Sequence, residues 1–319
     1  MSRLEDLPNE LFLQLFKYLS TSEIFRSFHQ LNSRLNSVIQ SLHHLNYSSD
    51  DIDHLVFPYV RTVIIKTILV HSLQSFASLR RLIVDYTTGE LLEQLNEQTL
   101  PHLEYLSITH RVHPWYISDL YTKIFSNTFP KLQSSSIARI RFPENGFPSW
   151  SQTFSIRSLK FNEINASIFL AVLSACPNLS SLHFKLSLES PMPASHIISH
   201  PNLKQLMINM NADHWPWTDQ FLVDYLRCLP HLEQFHISRS IANSASRLVI
   251  FDQLREYHWL ASIIQSSHLS FLCRFRFDLH LNRSFREDWM NSSRDLKKRF
   301  SRMHANFYPN FLMIFCFGK

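Results

Sequence analysis

At 319 residues, 45% of them hydrophobic and 18% charged, the chain is long enough for one large or two modest domains and too apolar to stay disordered. It has three glycines, Gly89, Gly146 and Gly318, which excludes the glycine-rich loops that let a backbone cradle a phosphate or a dinucleotide. The net charge of +5 is local: residues 274–319 carry ten Lys/Arg against four Asp/Glu, and the other 273 residues 21 against 22, which argues against a nucleic-acid-binding field over the whole protein.

The first ten residues carry early acidic side chains and no apolar core, so no secretory leader is expected. No apolar run approaches the ~18 residues needed to span a bilayer. Leu11, Phe12, Leu15, Phe16 and Leu19 then recur at helical spacing, with Pro8 suited to the first turn. Ser20 and Glu23 read as a capping box for a second helix with an apolar face of Ile24, Phe25 and Phe28. Asn32 caps a third helix in which Leu35, Val38 and Ile39 share a side. A three-helix unit of about 40 residues buries too little surface to stand alone, and Leu13 and Tyr18 lie off the main stripe. Part of this surface therefore belongs to a partner; a helical cap over the following domain is the alternative.

Leu7-Pro8-Asn9-Glu10-Leu11, Leu15-Phe16-Lys17-Tyr18-Leu19, Ile24-Phe25 and Leu31-Asn32-Ser33-Arg34-Leu35 together resemble the F-box family over residues 4–40. Leu35 stands where many members have Trp. The resemblance implies that Leu7, Pro8, Glu10, Leu11, Leu15 and Ile24 contact a Skp-type adaptor and through it a cullin, by burial of aliphatic side chains against partner helices.

After residues 1–42, a polar stretch over 43–57 that includes His43, His44, Asp50, Asp51, Asp53 and His54 reads as a solvated linker. From residue 58 a repeat begins. An aliphatic residue, two others, an aliphatic, one other and a third apolar residue recur as Val60-Val63-Ile65, Leu79-Leu82-Val84, Leu103-Leu106-Ile108 and Ile137-Ile140-Phe142. The series continues as Ile156-Leu159-Phe161, Leu179-Leu182-Phe184, Leu203-Leu206-Ile208, Leu232-Phe235-Ile237 and Leu272-Phe275-Phe277. The last three positions of each unit alternate as in a strand. Pro58, Pro101, Pro177, Pro201 and Pro230 each stand two residues before a unit; Pro130 stands likewise before Leu132, where Ser134-Ser135-Ser136 interrupts the pattern. Amphipathic stripes precede several units: Leu120, Ile124 and Phe125; Ile168, Phe169, Val172 and Leu173; Phe221, Leu222, Tyr225 and Leu226.

Helix, proline and strand at intervals of 19 to 40 residues resemble an irregular leucine-rich repeat. The expected fold is α/β: a three-helix F-box followed over 58–280 by a solenoid with a parallel inner sheet and outer helices. Residues 281–319 are read as a basic C-terminal helix and a last strand, Phe311 to Phe317.

No zinc-ligand spacing, His-Glu-x-x-His or nucleophile elbow occurs, so neither cofactor, metal nor catalysis is expected. Cys176, Cys228, Cys273 and Cys316 read as buried reduced thiols, which places the chain in cytoplasm or nucleus. Trp215-Pro216-Trp217 reads either as an exposed anchor or as a loop packed on the repeat. The resemblance implies the substrate-recognition subunit of a Skp–cullin–F-box type ubiquitin ligase. A ubiquitin-independent scaffold and a nucleic-acid-binding repeat protein are the alternatives; for the second, no stacking motif accompanies Arg294, Lys297, Lys298, Arg299 and Arg302. Of the residues alternating with the ladder, Lys66, Arg81, Arg139, Arg141, Lys160, Lys185, Arg274 and Arg276 are basic and only Asp85 and Asp278 acidic. Nine parallel strands would spread them along roughly 40 Å, a strip that suits an acidic or phosphorylated protein client.

Overall fold

Helix α1 (Asn9–Leu15) starts at Pro8, continues into a 3-10 turn over Phe16–Tyr18, and is followed by α2 (Thr21–Phe28) and α3 (Ser33–Ser41). The caps are those the sequence predicts. Glu23 N–H donates to Ser20 Oγ and Ser20 N–H donates to Glu23 at 2.7 Å, a reciprocal box. Leu35 N–H donates to Asn32 Oδ1 at 2.8 Å. The α2–α3 turn needs Gln30 at φ 65°, a left-handed conformation unusual for a side chain with a Cβ, and its N–H is taken up by Asn36 Oδ1 at 2.8 Å.

A computed structural model describes residues 7–42, 46–48, 60–66, 72–85, 87–109, 114–137, 150–186, 199–211, 225–241, 271–281 and 311–317. The chain divides into two units, Met1–Phe142 and Pro143–Lys319. Beyond the three helices, the first unit contains β1 (Asn46–Ser48), β2 (Thr62–Ile65), β3 (Arg81–Val84), β4 (Tyr105–Ile108) and β5 (Ser134–Ile137), with α4 (Gly89–Glu93) after β3 and α5 (Pro114–Phe125) after β4. The second contains β6 (Ser158–Phe161), α6 (Ala166–Ala175), β7 (Ser181–Lys185), β8 (Gln205–Asn211), β9 (Gln234–Ile241), β10 (Arg274–Leu281) and β11 (Phe311–Phe317). Within each unit neighbouring strands are parallel and follow chain order. The architecture is α/β with an all-parallel sheet, as expected.

The aliphatic ladder is the core. Val63, Leu82 and Leu106 stand side by side in the first unit; Leu159, Leu182, Leu206, Phe235 and Phe275 do so in the second, and all are buried. Each such side chain contributes about 1.5–3 kcal/mol on burial. The helical stripes of α5 (Leu120, Ile124, Phe125) and α6 (Ile168, Phe169, Val172, Leu173) are buried as well.

The strand entrances repeat two hydrogen-bond devices. In the first, the N–H of the leading aliphatic closes a turn onto the carbonyl three residues back, as in Leu103 to Leu100 and Leu179 to Cys176. The proline after that carbonyl sets the turn's dihedral. One unit substitutes a side chain: Leu203 N–H donates to Nδ1 of buried His200 at 3.1 Å, and His200 Nε2 donates to the Cys176 carbonyl at 2.9 Å. In the second device one carbonyl accepts two consecutive N–H groups of the next unit. Arg80 and Arg81 both donate to Arg61, Ser180 and Ser181 to Arg157, and Cys273 and Arg274 to Glu233.

Three expectations are corrected. Residues 46–48 do not belong to a linker: they form β1, paired with β2. The fourth unit does not start at Ile137 but keeps the register set by Pro130. Leu132, Ser135 and Ile137 fill its ladder positions, all buried, and Ser135 stands beside Leu106. Cys273 is exposed, unlike buried Cys176 and Cys228; it lies before β10, between the buried ladder residues Leu272 and Phe275, and its Sγ donates to the Glu233 carbonyl at 3.2 Å. Among the described residues no helix is long and apolar enough to cross a membrane. Residues 43–45 and 49–59, the stripe residues Phe221 and Leu222, Trp215-Pro216-Trp217 and the basic segment around residue 297 lie outside the described residues.

Candidate functional site

The helical unit splits its apolar residues between two directions. Phe12, Phe16 and Phe28 meet as a ring cluster with centroids 5.1–6.2 Å apart, each aromatic pair adding about 0.5–1.5 kcal/mol beyond burial. Leu35, Val38 and Ile39 complete the inside. With the interior filled, Leu11 is left 45% and Leu15 39% exposed, one helical turn apart on α1. Pro8 and Glu10 are exposed and Leu7 half-buried at the start of the same helix. Leu13, Tyr18 and Leu31 are also exposed.

Arg34 fixes that edge. Its Nε donates to Asn9 Oδ1 at 2.8 Å, an Nη donates to the Leu7 carbonyl, and its guanidinium lies 6.0 Å from the Phe12 ring centroid. A residue of α3 thus holds the segment that carries Leu7 and Pro8. The sequence reading missed this role, although Arg34 lies inside the pattern that carries the family resemblance. Ile24 belongs elsewhere: at 3% exposure it is part of the helical core and presents no surface.

The outward face of β6–β10 is almost wholly polar. Its middle row runs, by register, Lys160, His183, Met207, His236 and Arg276. The row on the entrance side is Ser158, Ser181, Gln205, Gln234 and Arg274; on the far side come Lys185, Asn209, Ser238 and Asp278. Lys160 and Arg274 are exposed; Lys185 and Arg276 are half-buried. Lys185 Nζ lies 4.0 Å from Glu163, at the limit of an ion pair.

Asp278 organises one end of this face. Its carboxylate, only 7% exposed, accepts from Arg276 Nε at 2.9 Å and Nη2 at 2.8 Å, and from His236 Nε2 at 2.9 Å. Burial pushes its pKa up, but the hydrogen bonds and charges of Arg276 and His236 outweigh that and hold it below the usual aspartate value. The forked grip expected of Arg276 on a client is therefore spent within the protein. The signal was legible: Arg276 and Asp278, two apart on one strand, must share a face.

His183, in the middle of the row, is pulled down to about 4 by burial, with the charges of Lys160 and His236 adding to it. Asn209 Nδ2 donates to its Nε2 at 2.9 Å. The ring is neutral at neutral pH and accepts rather than donates there.

In the first unit Lys66 and Arg81 are exposed, and the Arg81 guanidinium lies 4.7 Å from the centroid of the Tyr105 ring, a cation–π contact. Arg139 and Arg141 lie outside the described residues. Their outward placement assumed a unit beginning at Ile137, whereas β5 ends there. No protein-family model matches the chain, and no curated protein matches it, so its function rests on these surfaces.

Proposed function

We propose that the chain is the substrate-recognition subunit of a Skp–cullin–F-box type ubiquitin ligase: α1–α3 are an F-box that docks a Skp-type adaptor, and the parallel repeat is a leucine-rich-repeat solenoid that presents a protein client. The chain itself does no chemistry; ubiquitin transfer belongs to its partners. The observation that carries this reading is the pair Leu11 and Leu15, left outside a helical core that Phe12, Phe16 and Phe28 already fill. Covering the exposed part of both side chains is worth about 1 kcal/mol each at ~25 cal/mol per Å². That is small singly and useful only in a larger contact that includes Leu7 and Pro8.

Replacing Leu11 and Leu15 by Asp is the test. Neither is a core residue, so circular dichroism should remain that of the parent while capture of purified Skp-type adaptor and cullin is abolished. Undiminished capture by the folded double variant refutes the docking assignment. Capture without ubiquitin transfer to any bound client would favour a scaffold instead.

A further inference from the structure

We infer that the outward face of β6–β10 binds an acidic stretch of the client, rich in Asp and Glu and laid in extended form across the strands. The inference rests on the receptor reading for the word client, but the surface and its chemistry are independent of the helical unit.

Charge comes first. Counting three outward positions per strand, this face carries Lys160, Lys185, Arg274 and Arg276 against one carboxylate, that of Asp278. Asp278 is sunk beneath Arg276 and His236, so a ligand approaching from outside meets the cations and not the anion. Arg276 is answered by Asp278 and Lys185 by Glu163 at 4.0 Å, while Lys160 and Arg274 are exposed and face no carboxylate among the described residues; the net positive charge of the face raises the local concentration of an oppositely charged ligand.

The positions of those charges give the ligand its form. Lys160 and Arg276 stand at the two ends of one row, four strand spacings apart, or about 19 Å at ~4.8 Å per strand. An extended peptide advances about 3.3 Å per residue, so some six residues span the row. Between the ends this row holds His183, Met207 and His236, and the row on its entrance side holds amide and hydroxyl groups, Ser181, Gln205 and Gln234. Such groups suit the backbone of a passing peptide and carry no charge to repel it.

The remaining choice is between carboxylates and a phosphorylated residue. A phosphate dianion is best held by an Arg fork delivering two parallel hydrogen bonds to one group. Arg276 has turned its Nε and Nη2 toward Asp278, and the other cations are dispersed over separate strands. Separate point charges match separate carboxylates.

Fluorescence anisotropy with labelled homopeptides tests this on the full chain. A glutamate homopeptide should bind, with affinity falling as salt rises, and a glutamine homopeptide of the same length should not. Lys160→Glu with Arg274→Glu, both exposed, should weaken glutamate binding by about tenfold or more, equivalent to about 1.4 kcal/mol. Lys160→Gln with Arg274→Gln, which removes the charges without reversing them, should give a smaller loss in the same direction. Unchanged binding in both variants overturns the inference, as does equal affinity for the glutamine peptide. A phosphoserine peptide bound more than tenfold tighter than the glutamate peptide overturns the choice of carboxylates. Adaptor capture on the same samples separates the two claims. The Leu11→Asp, Leu15→Asp chain should still bind the glutamate peptide, and the Lys160, Arg274 variants should still capture adaptor.

Discussion

Ser135 offers a sensitive test of the ladder register. It occupies a position filled by Val63, Leu82 and Leu106 in the preceding strands, it is 1% exposed, and its Oγ has no hydrogen-bond partner among the described residues. A buried hydroxyl left unsatisfied costs about 1–3 kcal/mol. Ser135→Ala removes that cost and deletes a single oxygen, so little cavity results. A net gain of about 1 kcal/mol is expected, a rise in Tm of about 2–4 °C for a unit of this size. Ser135→Asp, which buries a charge at the same point, should instead destabilise by several kcal/mol. Differential scanning calorimetry of the three proteins, with circular dichroism to confirm unchanged secondary structure, gives the answer. A loss of stability in the Ala variant would mean that the hydroxyl is bonded and the register is not as described; tolerance of Asp would mean that the position faces water.

In the second unit, Leu182→Ala and Leu206→Ala should each cost about 2–5 kcal/mol, measured by urea unfolding; losses within error at both would remove them from the core. Stability should also rise with pH through two windows. His183 in the folded chain titrates near 4, below its ordinary 6.5. Between those values the unfolded chain holds a proton that the folded chain lacks, so stability is full above 6.5 and is lost as pH falls toward 4. His183→Gln should flatten that slope, which for a half-exposed ring is less than the ~1.4 kcal/mol per pH unit of one whole proton. Asp278, held below its usual 3.8, contributes stability present above that value and lost as pH falls through the lower folded one; chemical unfolding of Asp278→Asn across acid pH should show a smaller decline than the parent.

Much of the fold was legible because period and punctuation agreed. Ser20–Glu23 and Asn32 announced helix starts, and proline two residues ahead of a ladder aliphatic announced strand entries. Phe311–Phe317 is a strand, and a run of seven apolar residues is the length of a strand and too short for a buried helix. The failures have physical causes. Ser135 breaks the apolar code although the backbone register, fixed at Pro130, does not change; reading by side chain alone moved the unit five residues. Asn46–Ser48 is polar and short, and only its pairing with β2 makes it a strand. On α1, period alone could not tell Leu11 and Leu15 from Phe12 and Phe16, because all four fall within a broad apolar arc. The three-dimensional fit of the aromatic rings decided which turned inward. The candidate site was legible as a list of cations, but not their state of engagement: Arg276 with Asp278, Arg81 over Tyr105 and Lys185 beside Glu163.

The carbonyl that accepts two N–H groups at the entrances of β3–β5 and β7–β10 separates what is fixed in this chain from what is free to vary. From Thr62 to Arg81, facing residues in adjacent strands are 19 positions apart; from Gln234 to Arg274 they are 40 apart. Yet the same forked bond seats Arg81 on Arg61 and Arg274 on Glu233. Doubling a connecting segment adds only about 0.6 kcal/mol of closure entropy, whereas a slip of one residue at the entrance would turn every ladder side chain outward. Chain length can therefore drift between strands while alignment is re-zeroed at each forked entry. A sequence built this way keeps its architecture as its inserts diverge, and alignment methods that rely on constant repeat length lose it first.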